Sequence, residues 1–534
     1  MTSAGPSSTA DARALPWAAA ARPYIGLVGV LLGSMMATLG TRVTTFGLAD
    51  LRGGLGAGFD EGAWITTSLG VGQLISGISC PYLASVLGGR RVLLAGIIVF
   101  FTACLLAPFS HNVGTYIGLQ FLAGLGSGTF IPITIIFILR HLPKHLLIYG
   151  LSIYAMNSEF SQNVAASLEG FYVDHWSWRW ISWQYCIALP AMLACVWFGM
   201  PKDAPVSPAA RRTIDSPGLV YAWLGFGLLY VGIDQGNRLD WTRNGLIVGL
   251  LVAGILSLTA FIVREMTARH PVLDIRLLAS PSLLVLFLLL AGFRFIILST
   301  AFVVPSYLQT IQNYRGLEVG TVLLWIALPQ LLLVLPLARV LLRLDPRWTL
   351  GTGAALIAVS CLMATRLTDQ WATVDFMPSQ ILQAVGQSLA LTSIVVLVAR
   401  TVKPEQAVTI GAFMQMSRLF GGEVGVAFMQ TFVRVREQVH SNLLGLHVDV
   451  QAATTTDRLL TYGRVVAGHV SDSVETAAAA TQLLANAVSR QASVLAFIDG
   501  FQAAAAVAFV CWFLAAFVPK TTAVPDVPPG KDVG

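Results

Sequence analysis

Long apolar runs, closed by charged or glycine-rich breaks, recur along this chain from residue 24 to residue 518. A run of ~20 mostly apolar residues is needed for a helix to cross ~30 Å of hydrocarbon. Fourteen segments meet or approach that length: 24–48, 64–87, 92–108, 116–139, 147–173, 181–200, 218–233, 245–263, 283–308, 320–338, 349–365, 376–399, 408–433 and 496–518. The fifth departs from the rest. Asn157, Glu159, Gln162, Asn163 and Glu169 interrupt it, and Trp176, Trp178, Trp180 and Trp183 follow with Arg179 among them. A carboxylate at membrane depth is costly and marks a functional position by default. Tryptophan settles at the headgroup level because its ring is apolar and its N–H is not. This segment therefore predicts a spanning helix with a polar face and an interfacial anchor.

Composition agrees. Of 534 residues, 55% are hydrophobic and 11% charged, with mean hydropathy +0.72; a soluble domain carries about 25% charged residues. The reading is an all-α polytopic membrane protein. The net charge of +6 would suggest nucleic acid in a soluble domain, but here it follows from the loops. Arg90, Arg91, Arg140, Lys144, Lys202, Arg211, Arg212, Arg264, Arg269, Arg276, Arg339, Arg343, Arg347, Arg400 and Lys403 share one side with both termini. The positive-inside rule makes that side cytoplasmic. No secretory signal peptide is expected, since the first 22 residues are mostly polar or small and the apolar run after them exceeds an h-region of ~7–15 residues.

Cys80, Cys104, Cys186, Cys195, Cys361 and Cys511 fall within predicted spans without a CxxC pair, and the histidines lack HExxH spacing. Neither a metal site nor a cofactor is expected. No nucleophile–base spacing and no Walker motif occurs, so the chain reads as neither an enzyme nor an ATP-driven pump. Gly88-Gly89-Arg90-Arg91 predicts a tight turn between the second and third spans, which glycine eases by tolerating positive φ. The connection 434–493 is the one long link. Its apolar residues from 474 to 495 recur at helical spacing and predict a surface helix. The tail 519–534, with four prolines, predicts disorder.

Several stretches together resemble one family. They are Asp215-Ser-Pro-Gly218, Asp234-Gln-Gly-Asn-Arg-Leu-Asp-Trp241 and His270-Pro-Val-Leu-Asp-Ile-Arg-Leu277. With them go Asp174-His-Trp-Ser-Trp-Arg-Trp180, Phe59-Asp-Glu-Gly-Ala-Trp64 and Arg418-Leu-Phe-Gly-Gly-Glu-Val-Gly-Val-Ala427. Over roughly residues 25–515 the chain resembles the 14-helix drug:proton antiporters of the major facilitator superfamily, of the EmrB/QacA type. The resemblance implies two six-helix bundles with two inserted helices, and substrate and coupling sites near midplane between the bundles. It divides the chain into a tail at 1–22, a first bundle at 23–200 and a linker with helices seven and eight at 201–282. A second bundle at 283–518 includes the exterior loop of about 434–495, and a tail follows at 519–534. It also implies the bacterial inner membrane, small-molecule and proton partners and, in a Gram-negative host, a periplasmic adaptor and outer-membrane channel.

The coupling signatures of that family differ here. The first span has Leu39-Gly40-Thr41-Arg42-Val43 where the family keeps an acid in L-D-T-T-I-V, and Ser85 stands where L-A-D-R-x-G has aspartate. The fourth span has Gln120-Phe-Leu-Ala-Gly124 in place of R-x-x-Q-G, and the fifth lacks the G-P-x-x-G-P pattern across Ser161–Gly170.

Three arginines, Arg42, Arg294 and Arg418, and three glutamates, Glu159, Glu169 and Glu423, lie in predicted spans. A charge at the bilayer centre costs at least ~2.5–3.5 kcal/mol, so pairing or a wet cavity is expected. Arg42, Arg294, Gln162 and Asn163 are the candidate substrate contacts, Arg42 with outward snorkelling as the alternative. Glu159 is the candidate proton carrier or a substrate contact, with a static partner for a buried arginine as the alternative; Glu423 is the second proton candidate, with an interhelical hydrogen bond as the alternative. Glu169, near its helix end, is expected to be solvated. Arg418, Gly88, Arg90 and Arg91 are assigned to scaffold and gating. Gly124, Gly126, Gly128, Gly421, Gly422 and Gly425 read as close-packing surfaces. The function expected is proton-coupled export of an amphipathic or anionic organic compound. Uptake of a specific organic acid, or a non-transporting sensor on a transporter scaffold, are the alternatives.

Overall fold

The computed structural model describes residues 16–203, 215–268, 271–273, 275–276, 280–401, 406–449, 451–467 and 473–518. The expectations for the tail 519–534 and for Arg211, Arg212, Arg269 and Lys403 lie outside these residues. Every regular element among them is helical. The first half comprises α1 (Pro16–Phe46), α2 (Leu48–Leu55), α3 (Phe59–Leu87), α4 (Gly89–Leu106), α5 (Val113–Ser127), α6 (Phe130–His141), α7 (Leu147–His175) and α8 (Trp180–Gly199). An inserted pair follows, α9 (Ser216–Gly236) and α10 (Gly245–Thr267). The rest comprises α11 (Pro281–Ile296), α12 (Val304–Ile311), α13 (Gly316–Arg343), α14 (Pro346–Ala364), α15 (Thr373–Thr401), α16 (Ala407–Gly445), α17 (Ala453–Ala467) and α18 (Ser473–Ala515).

Twelve helical stretches among the described residues are long and apolar enough to cross a membrane, with α5–α6 and α11–α12 each counting as one. Two more, α7 and α16, have the length (29 and 39 residues) without the apolarity. These two carry Glu159 and Glu423. With them the order of spans is that expected of two six-helix bundles with an inserted pair, a major facilitator fold. One bundle gathers α1 and α3–α8 and the other gathers α11–α16 and α18; they meet chiefly along α7/α13 and α3/α16. The pair α9/α10 packs on itself, and α9 leans on both α3 and α16.

Small residues decide where helices touch. Gly72 on α3 and Gly124 on α5 each lie against the other's backbone, and Gly96 on α4 and Gly126 on α5 do the same. A Cβ at any of the four would strike main-chain atoms, so these crossings require glycine. Gly421 and Gly422 differ from the expectation: nothing lies within 4 Å of a Cβ built on either. They leave open space rather than fill a contact.

Two spans are broken, each for a local reason. The fourth breaks at Gly128–Thr129, where Gly128 abuts the Gln73 carbonyl and Ser76 on α3. Between α11 and α12 the helix opens into a π turn at Ser299–Val303. Pro305 stands four residues after Ala301 and has no N–H to give the Ala301 carbonyl. That carbonyl is left for another donor.

Several expectations are corrected here. Helix α1 begins at Pro16, and its part long and apolar enough to cross a membrane begins at Arg22. The long connection contains more than one surface helix. Helices α16 and α18 continue beyond any membrane thickness, at about 58 Å and about 65 Å for a rise of ~1.5 Å per residue, and α17 packs on α18. Asp499 accepts from Arg436 Nε at 2.5 Å and contacts His440 Nε2 at 2.7 Å, which ties the two long helices together. Glu169 is 2% exposed, not solvated, because Gly47 and Gly316 close over its carboxyl where α1, α7 and α13 converge.

Candidate functional site

A cavity of about 310 Å3 lies between the two bundles and extends from midspan toward the face opposite the chain ends. Its charged wall comes from four helices: Arg42 on α1, Asp234 on α9, Arg294 on α11, and Arg418 with Glu423 on α16. Thr38, Thr41, Thr66, Gln162, Tyr230 and Gln430 add hydroxyl and amide groups, while Ile297, Leu298, Phe302, Leu419 and Val426 form an apolar side. Gly422 lines it too, which explains the open space at that glycine. A larger recess of about 1100 Å3 lies at the chain-end face, but all its lining comes from α1, α4, α6, α8 and the irregular segment leaving α8. It does not reach the interface between bundles, so relative motion of the bundles cannot open and close it.

Each charged group is held differently. Arg42 donates to the Ala301 carbonyl at 2.7 Å, the acceptor that Pro305 leaves free, and lies over the Phe46 ring at 5.2 Å. Its guanidinium thus crosses from one bundle to the other and does not snorkel outward. Arg294 is 8% exposed and its Nε is buried without a partner. Arg418 donates from Nε to Gln415 Oε1 at 3.2 Å, and one terminal nitrogen is buried without a partner. Neither arginine forms an ion pair within 4 Å among the described residues. Unspent donors on two buried guanidiniums are what an anion-binding wall offers.

The carboxyl groups separate into two kinds. Glu159 is fully buried, is not on the cavity wall, and has no hydrogen bond to either oxygen among the described residues. It lies within electrostatic reach of Arg294 and Arg42. Glu423 lies on the wall beside Tyr230 and Asp234.

Of the candidate substrate contacts, Arg42, Arg294 and Gln162 converge on the cavity. Asn163 does not: its amide donates to the Glu159 carbonyl at 3.0 Å and to Gln330 Oε1 at 3.2 Å. Gln330 passes the chain on to Gln387, and Gln387 to Thr300 in the π turn. Gly88 has φ +99, as the tight turn requires. The Asp203 carboxylate accepts from the backbone N–H of Arg90 at 3.3 Å and of Arg91 at 2.8 Å. An acid brought from beyond α8 thereby caps α4, beside the turn in which Ser85 replaces the expected aspartate. Arg90 also donates to the Trp197 carbonyl at 2.7 Å.

Reading the sequence missed Tyr230, Asp234 and Asp203. Asp234 was legible as the first residue of Asp234-Gln-Gly-Asn; nothing there said that α9 faces the cavity.

Two helical bundles enclosing a charged cavity at midspan define a membrane transporter that works by rocking one bundle against the other. The chain belongs to the Major Facilitator Superfamily, whose model matches residues 30–425. It is a multi-pass membrane protein and a transporter, not an enzyme. Among similar chains, the probable multidrug resistance protein EmrY of Escherichia coli is 24% identical over 79% of this chain and 82% of its own. The fatty acid resistance protein FarB of Neisseria gonorrhoeae is 24% identical over 79% and 83%. The multidrug export protein EmrB of Haemophilus influenzae is 25% identical over 78% and 82%. Of solved structures, the proton:xylose symporter XylE aligns with a TM-score of 0.57 at 12% identity, covering 94% of this chain and 97% of its own. The human organic anion transporter MFSD10 aligns at 0.55 and 12%, covering 92% and 99%. At such identity these two share the fold.

Proposed function

We propose that the protein exports an amphipathic organic anion in exchange for protons. The observation that carries this reading is the set of three guanidiniums, Arg42, Arg294 and Arg418, on one wall of a cavity whose other side is apolar. A carboxylate, sulfonate or phosphonate head would meet the arginines and its hydrocarbon part the side formed by Leu298, Phe302 and Val426. Relatives named for multidrug export and fatty acid resistance support export of such compounds. In this reading Arg294, Arg42 and Gln162 hold substrate, and Asn163 serves the helix contact behind them. Glu423 exchanges the proton at the cavity wall. Glu159 is a fixed counter-charge to the two arginines. Arg418 adds a third guanidinium to that wall, and Gly88, Arg90 and Arg91 support the moving parts.

In this reading the membrane is the bacterial inner membrane with both chain ends in the cytoplasm, which the basic loops on that face support. The projecting part of α16, α17 and α18 then stands in the periplasm, where a Gram-negative host has an adaptor and channel for it to meet.

A second reading, proton-linked uptake of an organic acid, is favoured by the sharing of one cavity between arginines and carboxyl groups. An anion bound beside a carboxyl group favours its protonated form, so the two loads reinforce each other. Purified protein in liposomes with an imposed pH gradient and a membrane-impermeant sulfonated aromatic dye separates the readings. Dye movement against the proton flow, abolished by collapsing the gradient, is expected. Movement along the proton flow supports uptake, and no gradient-driven movement refutes both.

A further inference from the structure

We propose that the recess at the chain-end face binds the headgroup of an anionic phospholipid whose acyl chains lie along α4 and α8. The recess is lined by one bundle alone, so it is no stage of a route between bundles, and the transport reading leaves it without a role. Arg22 on α1, Arg90 and Arg91 at the start of α4, and Lys202 just past α8 bring four cations to it. The one acid in its lining, Asp203, is engaged by the backbone N–H groups of Arg90 and Arg91.

Arg90 is set to hold a phosphate. Its guanidinium lies over the Trp197 ring at 4.9 Å and donates to the Trp197 carbonyl at 2.7 Å. Its Nε is buried without a hydrogen-bond partner among the described residues. A buried donor left unpaired is costly, and an anion drawn against this guanidinium offsets that cost. The planar fork also matches phosphate oxygens two at a time. Arg22 and Lys202 are exposed and take part in none of the ion pairs among the described residues. Both are free to turn to the same anion.

The surroundings favour a lipid over a soluble anion. On α8 the exposed residues Ile187, Pro190, Ala194, Trp197 and Phe198 recur at helical spacing, and the last two line the recess. On α4 the exposed residues Ala95, Ile98, Val99 and Thr102 continue from Arg91 in the same way. Both stripes lie on the outer side of the bundle, where hydrocarbon covers them, and Trp197 marks the headgroup level. A phospholipid whose chains follow these stripes carries its phosphate level with Arg90 and Lys202. Basic pockets between spanning helices hold anionic headgroups in this way. One headgroup would then tie α1, α4 and the segment leaving α8 together beside the turn at Gly88. The site is the same for either direction of transport.

The test uses the full chain in phosphatidylcholine nanodiscs containing phosphatidylglycerol spin-labelled near the headgroup end of one acyl chain. Spin-labelled phosphatidylcholine is the comparison. The fluorescence lost on Trp197→Phe isolates the Trp197 signal, and quenching of that signal reports lipid at the recess. Half-quenching is expected at about tenfold less labelled phosphatidylglycerol than labelled phosphatidylcholine. The double variant Arg22→Gln/Lys202→Gln leaves the turn untouched and is expected to bring the two lipids within about twofold of each other. The control Arg339→Gln/Arg343→Gln makes the same charge change on α13 and is expected to keep the preference. Equal quenching by the two lipids in wild type, or a preference that survives Arg22→Gln/Lys202→Gln, overturns the site. Loss of the preference in the α13 control as well makes it an effect of face-wide charge and overturns it too. Inorganic phosphate is expected not to displace the labelled phosphatidylglycerol; displacement would make the recess a small-anion site and overturn the lipid assignment.

Discussion

Arg294→Ala is expected to abolish gradient-driven transport while the protein still inserts and purifies as a monodisperse species. Arg294 is nearly closed off from solvent, its Nε has no partner, and it stands where α11 meets the cavity. A hydrogen bond to a charged group contributes about 1.5–3 kcal/mol, and each 1.4 kcal/mol is about tenfold in binding. Loss of the guanidinium should raise the dissociation constant for the sulfonated dye about 10- to 100-fold. Arg294→Lys should recover part of the loss, because an ammonium keeps the charge but lacks the planar fork. Equilibrium dye binding checks both. Unchanged affinity in the alanine variant would remove Arg294 from the site.

Glu159→Gln is expected to tighten substrate binding and slow turnover with the proton count per cycle unchanged. Glu159 is sealed behind the cavity and interacts electrostatically with Arg294 and Arg42. Two unit charges ~8 Å apart at an effective dielectric of ~20 interact by about 2 kcal/mol. Neutralising the glutamate therefore leaves the arginines about tenfold or more better disposed toward an anion. Transport rate against dye concentration should show a lower KM and a lower maximal rate. Loss of substrate-linked proton movement in this variant would instead make Glu159 the coupling group.

How much of this was readable beforehand depends on the kind of interaction. Twelve of the fourteen expected spans are long and apolar enough among the described residues, legible because apolar length is a local property, and α7 and α16 stood out by the polar residues they carry. The helix over 474–495 was legible from its apolar spacing and lies within α18, but its continuity with the last span and the reach of α16 beyond the membrane were not, since they depend on α17 and the Asp499 contacts. The depth of Arg42 was legible but its direction was not. That depends on a carbonyl freed by Pro305, some 260 residues away in sequence. Glu169 was misplaced because its burial depends on two distant glycines, Gly47 and Gly316. Asp203 and Asp234 were present in the text of the chain, but only the packing of α8 on α4 and of α9 between α3 and α16 gives them a role.

The polar groups of the membrane region divide by what they face. Amides such as Asn163, Gln330, Gln387 and Gln73 satisfy one another and nearby hydroxyls, and so hold the helices in register. The arginines and Glu423 keep capacity in reserve on an open wall. Buried polar groups are ordinarily paired, so groups left short of partners around a cavity mark where a ligand completes them.

That substrate occupies this cavity is the central claim, and Gly422 gives the most direct access to it. A cysteine there adds a thiol to open space, with nothing within 4 Å of its Cβ, on a wall shared with Arg294 and Arg418. The measurement is the rate of alkylation of Gly422→Cys by a small water-soluble maleimide, with and without saturating sulfonated dye. The account predicts ready labelling that the dye slows at least tenfold. Labelling at the same rate in the presence of dye that is demonstrably bound would contradict it.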